Sequence, residues 1–289
     1  MTGTQHTGSD SPRFKIEAAG IHMAFPFAGD QHGVEVLSGV SFGVAEGAFV
    51  SILGPSGCGK TTLVKVLAGL LRPVQGVVRV DGREIASPSP DRTVIFQEYG
   101  LFEWKTVREN VEFGLKAKGL PKHQRREVAQ RFIELVHLHG SERKYPNELS
   151  GGMKQRAAIA RALAVEPECV LMDEPFAALD SQTRQILQED ILEIWEKTRK
   201  TILLVTHNVE EAVFLSDRIL MLSNIPTKVV LDIPVGLPRP RPPELRFESG
   251  FRKIADRLWH ALRSEVGHGR PADKRGLKVP VSADEGAFT

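Results

Sequence analysis

Two stretches of this chain have the residue types of a phosphate site. Residues 54–61, GPSGCGKT, fit the spacing G-x-x-x-x-G-K-[ST]. Glycines let a backbone curl until several N–H groups face one phosphate. A helix opening at the end of such a turn adds a partial positive charge. Gly54, Pro55, Ser56, Gly57, Cys58 and Gly59 would form the turn, and Thr62 would continue the helix. Lys60 can reach the β- and γ-phosphates, and Thr61 can offer its hydroxyl to Mg²⁺. CVLMDEP, residues 169–175, supplies carboxylates at the end of an apolar run. Asp173 is placed to hold Mg²⁺, directly or through water, and Glu174 to polarise a water for attack on the γ-phosphate. The same pair could be a plain helix start ahead of Pro175. The second stretch is NELSGGMKQRAAIARAL, residues 147–163, where two glycines follow a serine and precede a helix-forming run. It reads as another phosphate cradle or as a Gly-Gly helix cap, and a single domain has no evident need for two cradles.

The elements that must position these residues follow from the apolar pattern. FVSILG (49–54), TVIFQ (93–97), CVLMDE (169–174), TILLVT (201–206) and RILMLS (218–223) read as strands. Several are apolar throughout, as strands buried on both faces of a parallel sheet are. Helices lie between the last three. In 181–197, Leu187, Ile191, Ile194 and Trp195 share one face, and Ser181 or Asp180 can cap the start. This alternation predicts an α/β sheet with helices on both sides. Residues 14–48 read as short strands joined by Gly-rich turns, an antiparallel patch. Residues 99–160 read as an inserted helical block. From Asn224 the chain reads as irregular and Pro-rich, followed by an amphipathic stretch with Phe251, Ile254, Leu258 and Leu262 in register. The expected organisation is a polar tail at 1–12, a main domain at 13–230 with a helical subdomain near 98–160, a Pro-rich segment and amphipathic helix at 231–266, and a polar tail at 267–289, both tails expected to be disordered.

Composition narrows the class. The 289 residues are 41% hydrophobic and 26% charged, which suits a globular domain. A net charge of +2 is too balanced to argue for a nucleic-acid or acidic partner, and none of nucleic-acid type is expected. Cys58 and Cys169 read as free thiols of a reducing compartment. Cys58, beside Lys60 and a helix start, is expected to be a reactive thiolate that MgATP shields, with a small buried filler as the alternative, and Cys169 is expected to be a buried filler. The polar first dozen residues lack the apolar core of a secretory signal, and there is no run of ~18 apolar residues. Any membrane role would pass through a partner.

Taken in order, the motifs resemble the ATP-binding subunit of an ABC transporter. The phosphate loop is followed by Gln97 in VIFQE, then LSGGMKQR, LMDEP, ALD at 178–180, and VTHNVEEA with His207. LSGGMKQR is the most specific of them, and the resemblance covers roughly residues 13–260. It implies a P-loop NTPase core with a RecA-like parallel sheet, an antiparallel β subdomain and an inserted α-helical subdomain of ABC ATPase type. It also implies a use for the second cradle. Two chains would pack head to tail as a homodimer, and Leu149, Ser150, Gly151, Gly152 and Met153 of one would hold the ATP seated on the phosphate loop of the other. Gln97 would contact Mg²⁺ and the attacking water, His207 the γ-phosphate, and Asp180 the dimer contact. Phe25 would stack on adenine, with Phe27 as its competitor and core packing as the alternative for both.

Two departures from the family pattern are visible. THN stands where THD is usual, so Asn208 lacks a carboxylate, and FAALD stands where SALD is commoner. The segment FQEYGLFEWKTVRENVEFGL and the tail LPRPRPPELRFESGFRKIADRLWHAL resemble the nitrate/sulfonate/taurine importer family. That resemblance implies an ATPase on the cytoplasmic face of the inner membrane, bound to separate permease subunits and only indirectly to a solute-binding protein. The competing class is a non-transport ABC ATPase of DNA repair or translation. DNA-organising members need long heptad arms and translation factors carry two ATPase domains, and neither feature is present.

Overall fold

Strands that are apolar on both faces form the centre of the molecule, and the loops leaving their carboxyl ends carry the candidate site. The computed structural model describes residues 14–27 and 30–268. The chain runs β1 (Phe14–Phe27), β2 (Asp30–Ala45), β3 (Phe49–Leu53), α1 (Lys60–Leu67), β4 (Gln75–Val80), β5 (Arg83–Glu84), β6 (Arg92–Ile95), α2 (Val107–Ala117), α3 (Lys122–Leu135), α4 (Gly151–Ala164), β7 (Cys169–Asp173), α5 (Ser181–Thr198), β8 (Thr201–Thr206), α6 (Val209–Leu215), β9 (Arg218–Leu222), β10 (Val229–Pro234) and α7 (Ser249–His268). The tail expected at 1–12 lies outside the described residues; of the one expected at 267–289, residues 267 and 268 continue α7 and the rest lie outside the described residues.

The larger sheet has six strands in the order β10-β9-β3-β8-β7-β6. β9, β3, β8, β7 and β6 pair in parallel, and β10 closes one edge antiparallel to β9. Every residue of β3, β7 and β8 is buried, which is why these runs show no polar alternation. The ends are in register: Leu53 pairs with Thr206, and Asp173 with Val205. Four neighbouring strands therefore release their loops along one edge, the place where open α/β sheets bind ligands.

The smaller sheet, β2-β1-β4-β5, is antiparallel. Here the structure corrects the sequence reading, because residues 14–45 form two long strands rather than several short ones. Gly20 and Gly39 have positive φ and sit where the β1–β2 register shifts. They are bulges inside continuous strands, and a bulge glycine looks like a turn glycine in sequence.

The inserted block packs α2, α3 and α4 around Val111, Phe132, Ile133 and Ile159. The segment before α2 is irregular, not helical, and α4 runs on to Ala164. Fully buried Asn110 pins that segment. Its Nδ2 donates to the carbonyls of Phe102, Lys105 and Thr106, and its Oδ1 accepts from Phe102 N. Thr106 and Glu109 form a reciprocal capping box at the start of α2.

On α5, Leu187, Ile191, Ile194 and Trp195 are all buried, and Asp180 rather than Ser181 caps the helix. The region after Asn224 is not wholly irregular. β10 alternates exposed and buried positions as an edge strand, crosses the expected boundary at 230, and ends at Pro234. Phe251, Leu258 and Leu262 of α7 are buried in the same core as Ile233 and Val235, so this segment is continuous with the main core. Among the described residues no helix is long and apolar enough to cross a membrane.

Candidate functional site

The β3–α1 loop has the backbone its sequence requires. Gly57 has φ +78° and Gly59, the residue ahead of α1, has φ +96°. A Cβ on Gly59 would stand 2.7 Å from Val36 Cγ1, so both conformation and space demand glycine. α1 has no side-chain cap. The N–H groups of its first turn have no intrahelical acceptor and are suited to an anion. Lys60 is buried beneath the loop, and its Nζ donates to the carbonyls of Gly54 (3.0 Å) and Pro55 (2.7 Å). It lies 3.6 Å from Glu174 Oε1. Ser56, Gly57 and Thr61 are exposed along the loop.

Cys58 departs from the expectation. Its thiol faces inward into the apolar cluster with Leu37 and Leu63, and the residue is 2% exposed. Burial pushes its pKa up, and the opposing pull of Lys60 is smaller. It is a packed thiol and not a reactive thiolate.

Asp173, at the end of β7, is buried beside Thr61, and its Oδ1 has no hydrogen-bond partner among the described residues. Burial holds its carboxyl above the usual aspartate range, with Thr61 and Lys60 opposing. A buried carboxylate oxygen left unpaired beside a hydroxyl fits a hard divalent cation. Thr61, Gln97 and Asp173 line one cleft of about 770 Å³. The residues read as metal-binding are thus brought together, with Gln97 supplied by the exposed loop after β6.

Glu174 follows at φ +47°, a strained setting for a side chain of its size. Its N–H donates to Val205 O, and its Oε2 lies 2.9 Å from His207 Nδ1. Glu174 is mostly buried and His207 half-exposed. Glu174, Lys60 and His207 therefore meet as expected, from the ends of β7, β3 and β8. Asn208 caps α6, its Oδ1 accepting from the N–H groups of Glu210 and Glu211. An amide oxygen serves that purpose as a carboxylate would, so the departure from the family pattern keeps the cap.

The second cradle sits elsewhere in the chain. Ser150 caps α4 by accepting from Met153 N (3.4 Å). A Cβ on Gly152 would stand 2.5 Å from Thr183 Cγ2, and one on Gly151 3.0 Å from the Tyr99 hydroxyl. Leu149 is buried, and Met153 packs on the main core. Of this motif only Lys154 lines the cleft that holds Thr61 and Asp173. Asp180 is exposed, and its Oδ1 accepts from Gln182 N and Thr183 N. Phe25 is half-buried and packs on the cluster that includes Leu37 and Cys58, while the side chain of Phe27 lies outside the described residues.

Sequence reasoning missed Tyr99, Arg184, Thr206 and Glu211. Glu211 stands one helical turn after His207, and that spacing was its only signal. Its neighbour Glu210 is exposed while Glu211 is buried, a difference that only tertiary packing sets.

The chain is similar to known proteins. Residues 37–177 match a family described as ABC transporter. The chain is 47% identical over 257 residues to an uncharacterized ABC transporter ATP-binding protein of Methanocaldococcus jannaschii, spanning 89% of this chain and 94% of the relative. It is 42% identical over 243 residues to the nitrate import ATP-binding protein NrtD of Synechocystis, spanning 82% and 91%. Among solved structures, it is similar to the dimeric post-hydrolysis state of the ATP-binding cassette MJ0796 bound to ADP and Pi. That match has TM-score 0.68 and 30% identity, and covers 76% of this chain and 98% of the other.

Proposed function

This chain belongs to the ABC transporter family and is an ATPase of that family, and from that premise we propose that it drives an importer of nitrate/sulfonate/taurine type through a separate permease. The observation that carries the reading is the division of the site. Lys60, Glu174 and His207 meet beside the neighbouring strand ends, Thr61, Gln97 and Asp173 line one cleft there, and Ser150–Met153, at the start of α4, does not line that cleft. Two such chains, head to tail, complete two sites. The dimeric state of the MJ0796 cassette supports this geometry, and the nitrate import relative supports the direction of transport.

ATP would sit on the Gly54–Thr61 loop, its phosphates facing the N–H groups of that turn and of α1. Lys60 would exchange its two loop carbonyls for phosphate oxygens. Asp173, Thr61 and Gln97 would hold Mg²⁺, which when bound neutralises charge on the β- and γ-phosphates. Glu174 would accept a proton from the attacking water, held in place by His207. Ser150 and the N–H groups of Gly151 and Gly152 would meet the γ-phosphate of the partner's ATP.

The permease would dock near the loop before α2. Trp104 is 72% exposed and Phe113 44%, both against Phe102. An exposed aromatic patch of this kind suits a protein partner. Glu174→Gln should bind MgATP and accumulate as a dimer, and adding Ser150→Arg should abolish that dimer. Trp104→Ala should impair uptake in membranes holding the permease while ATP hydrolysis by the isolated subunit continues. An ATP-dependent dimer in the Ser150→Arg variant would refute the shared site. Failure to co-purify with any integral membrane protein would favour a non-transport ABC ATPase.

A further inference from the structure

A small cavity of about 40 Å³ borders the catalytic pair and is lined by Glu174, Arg184, Thr206, His207 and Glu211, with Ala177 and Asn208. Glu211 is 6% exposed and Thr206 is buried beside it. The Thr206 hydroxyl donates to Glu211 Oε2 at 2.6 Å and accepts from Asn208 N at 3.0 Å. Both of its hydrogen-bonding functions are thus committed to the turn that presents His207. On the other side, Arg184 Nε lies 3.8 Å from Glu211 Oε1, and Arg184 Nη2 donates to Leu179 O at 2.8 Å. Leu179 directly precedes Asp180.

A buried carboxyl facing a half-buried guanidinium is a poor choice for stability alone, because apolar groups of similar volume usually pack at least as well. What this arrangement does is tie two loops together. One carries His207 at the end of β8, and the other carries Asp180 ahead of α5. His207 and Glu174 join the two loops at their β-strand ends, and Glu211 with Arg184 adds a second link at the far end of the second loop, beside Asp180.

We propose that Glu211 is a positioning residue for ATP hydrolysis: through Thr206 it sets the turn that carries His207, and through Arg184 it couples that turn to the Leu179–Asp180 segment. The His207–Glu174 contact, already formed in the single chain, is thereby joined to the Asp180 dimer contact, so a disturbance at one is felt at the other. This rests on the reading above of Glu174 and His207 as the groups at the reacting phosphate and of Asp180 as a dimer contact.

Glu211→Gln keeps the size of the side chain and an acceptor for Thr206, and removes the anion facing Arg184. Its kcat should fall by about 10- to 100-fold, the usual effect of a displaced supporting group, with KM for MgATP unchanged. In the Glu174→Gln background the same change should shorten the lifetime of the MgATP-bound dimer, followed by size exclusion after dilution. A merely structural role would lower the thermal midpoint and the folded fraction, and leave dimer lifetime unchanged. Should the single variant fail to fold, Glu211→Gln with Arg184→Met removes both charges together, leaves no lone buried ion, and carries the same expectations. Wild-type kcat and dimer lifetime in either folded variant overturn the proposal. Wild-type hydrolysis by Glu174→Gln alone would instead sink the assignment of Glu174, so the two failures are told apart.

Discussion

His207 Nδ1 stands 2.9 Å from Glu174 Oε2, and Glu174 holds a left-handed backbone at φ +47° to meet it. The strain and the contact belong together. A glutamate at the end of β7 reaches toward the neighbouring strand end only because its backbone turns back at once, with its N–H bonded to Val205 O. Such settings persist where the surroundings over-determine them. His207→Ala removes one of the two groups that hold the carboxylate, leaving Lys60. Its kcat should fall by about 10²-fold, within the range for a positioned acid or base, with little change in KM. A rise in KM at unchanged kcat, read from initial rates, would make His207 a phosphate binder only.

Cys58 gives a prediction opposite in sign to the one its neighbours suggest. Lys60 and a helix start favour a thiolate, but the side chain lies in the apolar cluster and burial raises its pKa. Thiolate is the reactive form. A maleimide should therefore label native Cys58 slowly, at a rate insensitive to MgATP, and labelling should accelerate steeply in denaturant. Mass spectrometry of the 54–61 segment reports this directly. Fast labelling that nucleotide blocks would show that the loop opens and exposes the thiol.

The contrast between Cys58 and Lys60 shows how much of the site was legible. Spacing alone identified the phosphate loop, because its chemistry depends on backbone freedom and one lysine. The strands of the core were legible for a similar reason: five or six apolar residues in a row have few alternatives. Side-chain direction inside the loop was not legible, since Cys58 and Ser56 differ in burial through contacts with β2 and the region of Thr227. Gly20 and Gly39 misled because a bulge and a turn ask for the same residue. β10 was hidden by Pro226 and Pro234 at its flanks and by its half-exposed pattern. Glu211 could not be told from Glu210 without the packing of α6 against its neighbours.

Asp173 ties stability to function through its proton. Its folded-state pKa is raised by burial above 3.8, the ordinary aspartate value. A carboxyl of this kind holds its proton more tightly in the native chain than in the unfolded one. Stability is therefore lost as pH climbs from that ordinary value through the raised folded one. Asparagine has nearly the same size and has no charge to desolvate. Without nucleotide, Asp173→Asn should melt higher than the wild type at pH 7, and the difference should vanish at acid pH, where Asp173 is protonated in both states. MgATP should raise the melting point of the wild type more than that of the variant. A lower melting point for Asp173→Asn at pH 7 would show that the carboxylate already has a stabilising partner in the absence of metal.

Gly152 tests whether the second cradle is shaped by its own chain before any partner arrives. A Cβ there would stand 2.5 Å from the Thr183 methyl, closer than carbon atoms approach. Thr183 in turn is held by Asp180, which accepts from its N–H at 3.0 Å and caps α5. The clash cannot be relieved by rotating a long flexible side chain, because a β-branched residue has few rotamers. Gly152→Ala should therefore cost about 1–3 kcal/mol, the usual penalty for overpacking, read from denaturant midpoints. Thr183→Ser removes only the offending methyl and keeps the hydroxyl that lies near Asp180. The double variant Gly152→Ala with Thr183→Ser should recover most of the lost stability, since residues in direct contact couple. Recovery of ATP-dependent dimerisation in the same double variant would show that the start of α4 needs room beside α5. Equal stability of Gly152→Ala with and without Thr183→Ser would show that α4 shifts away from α5 freely, and that the glycine is required by the partner's phosphate alone.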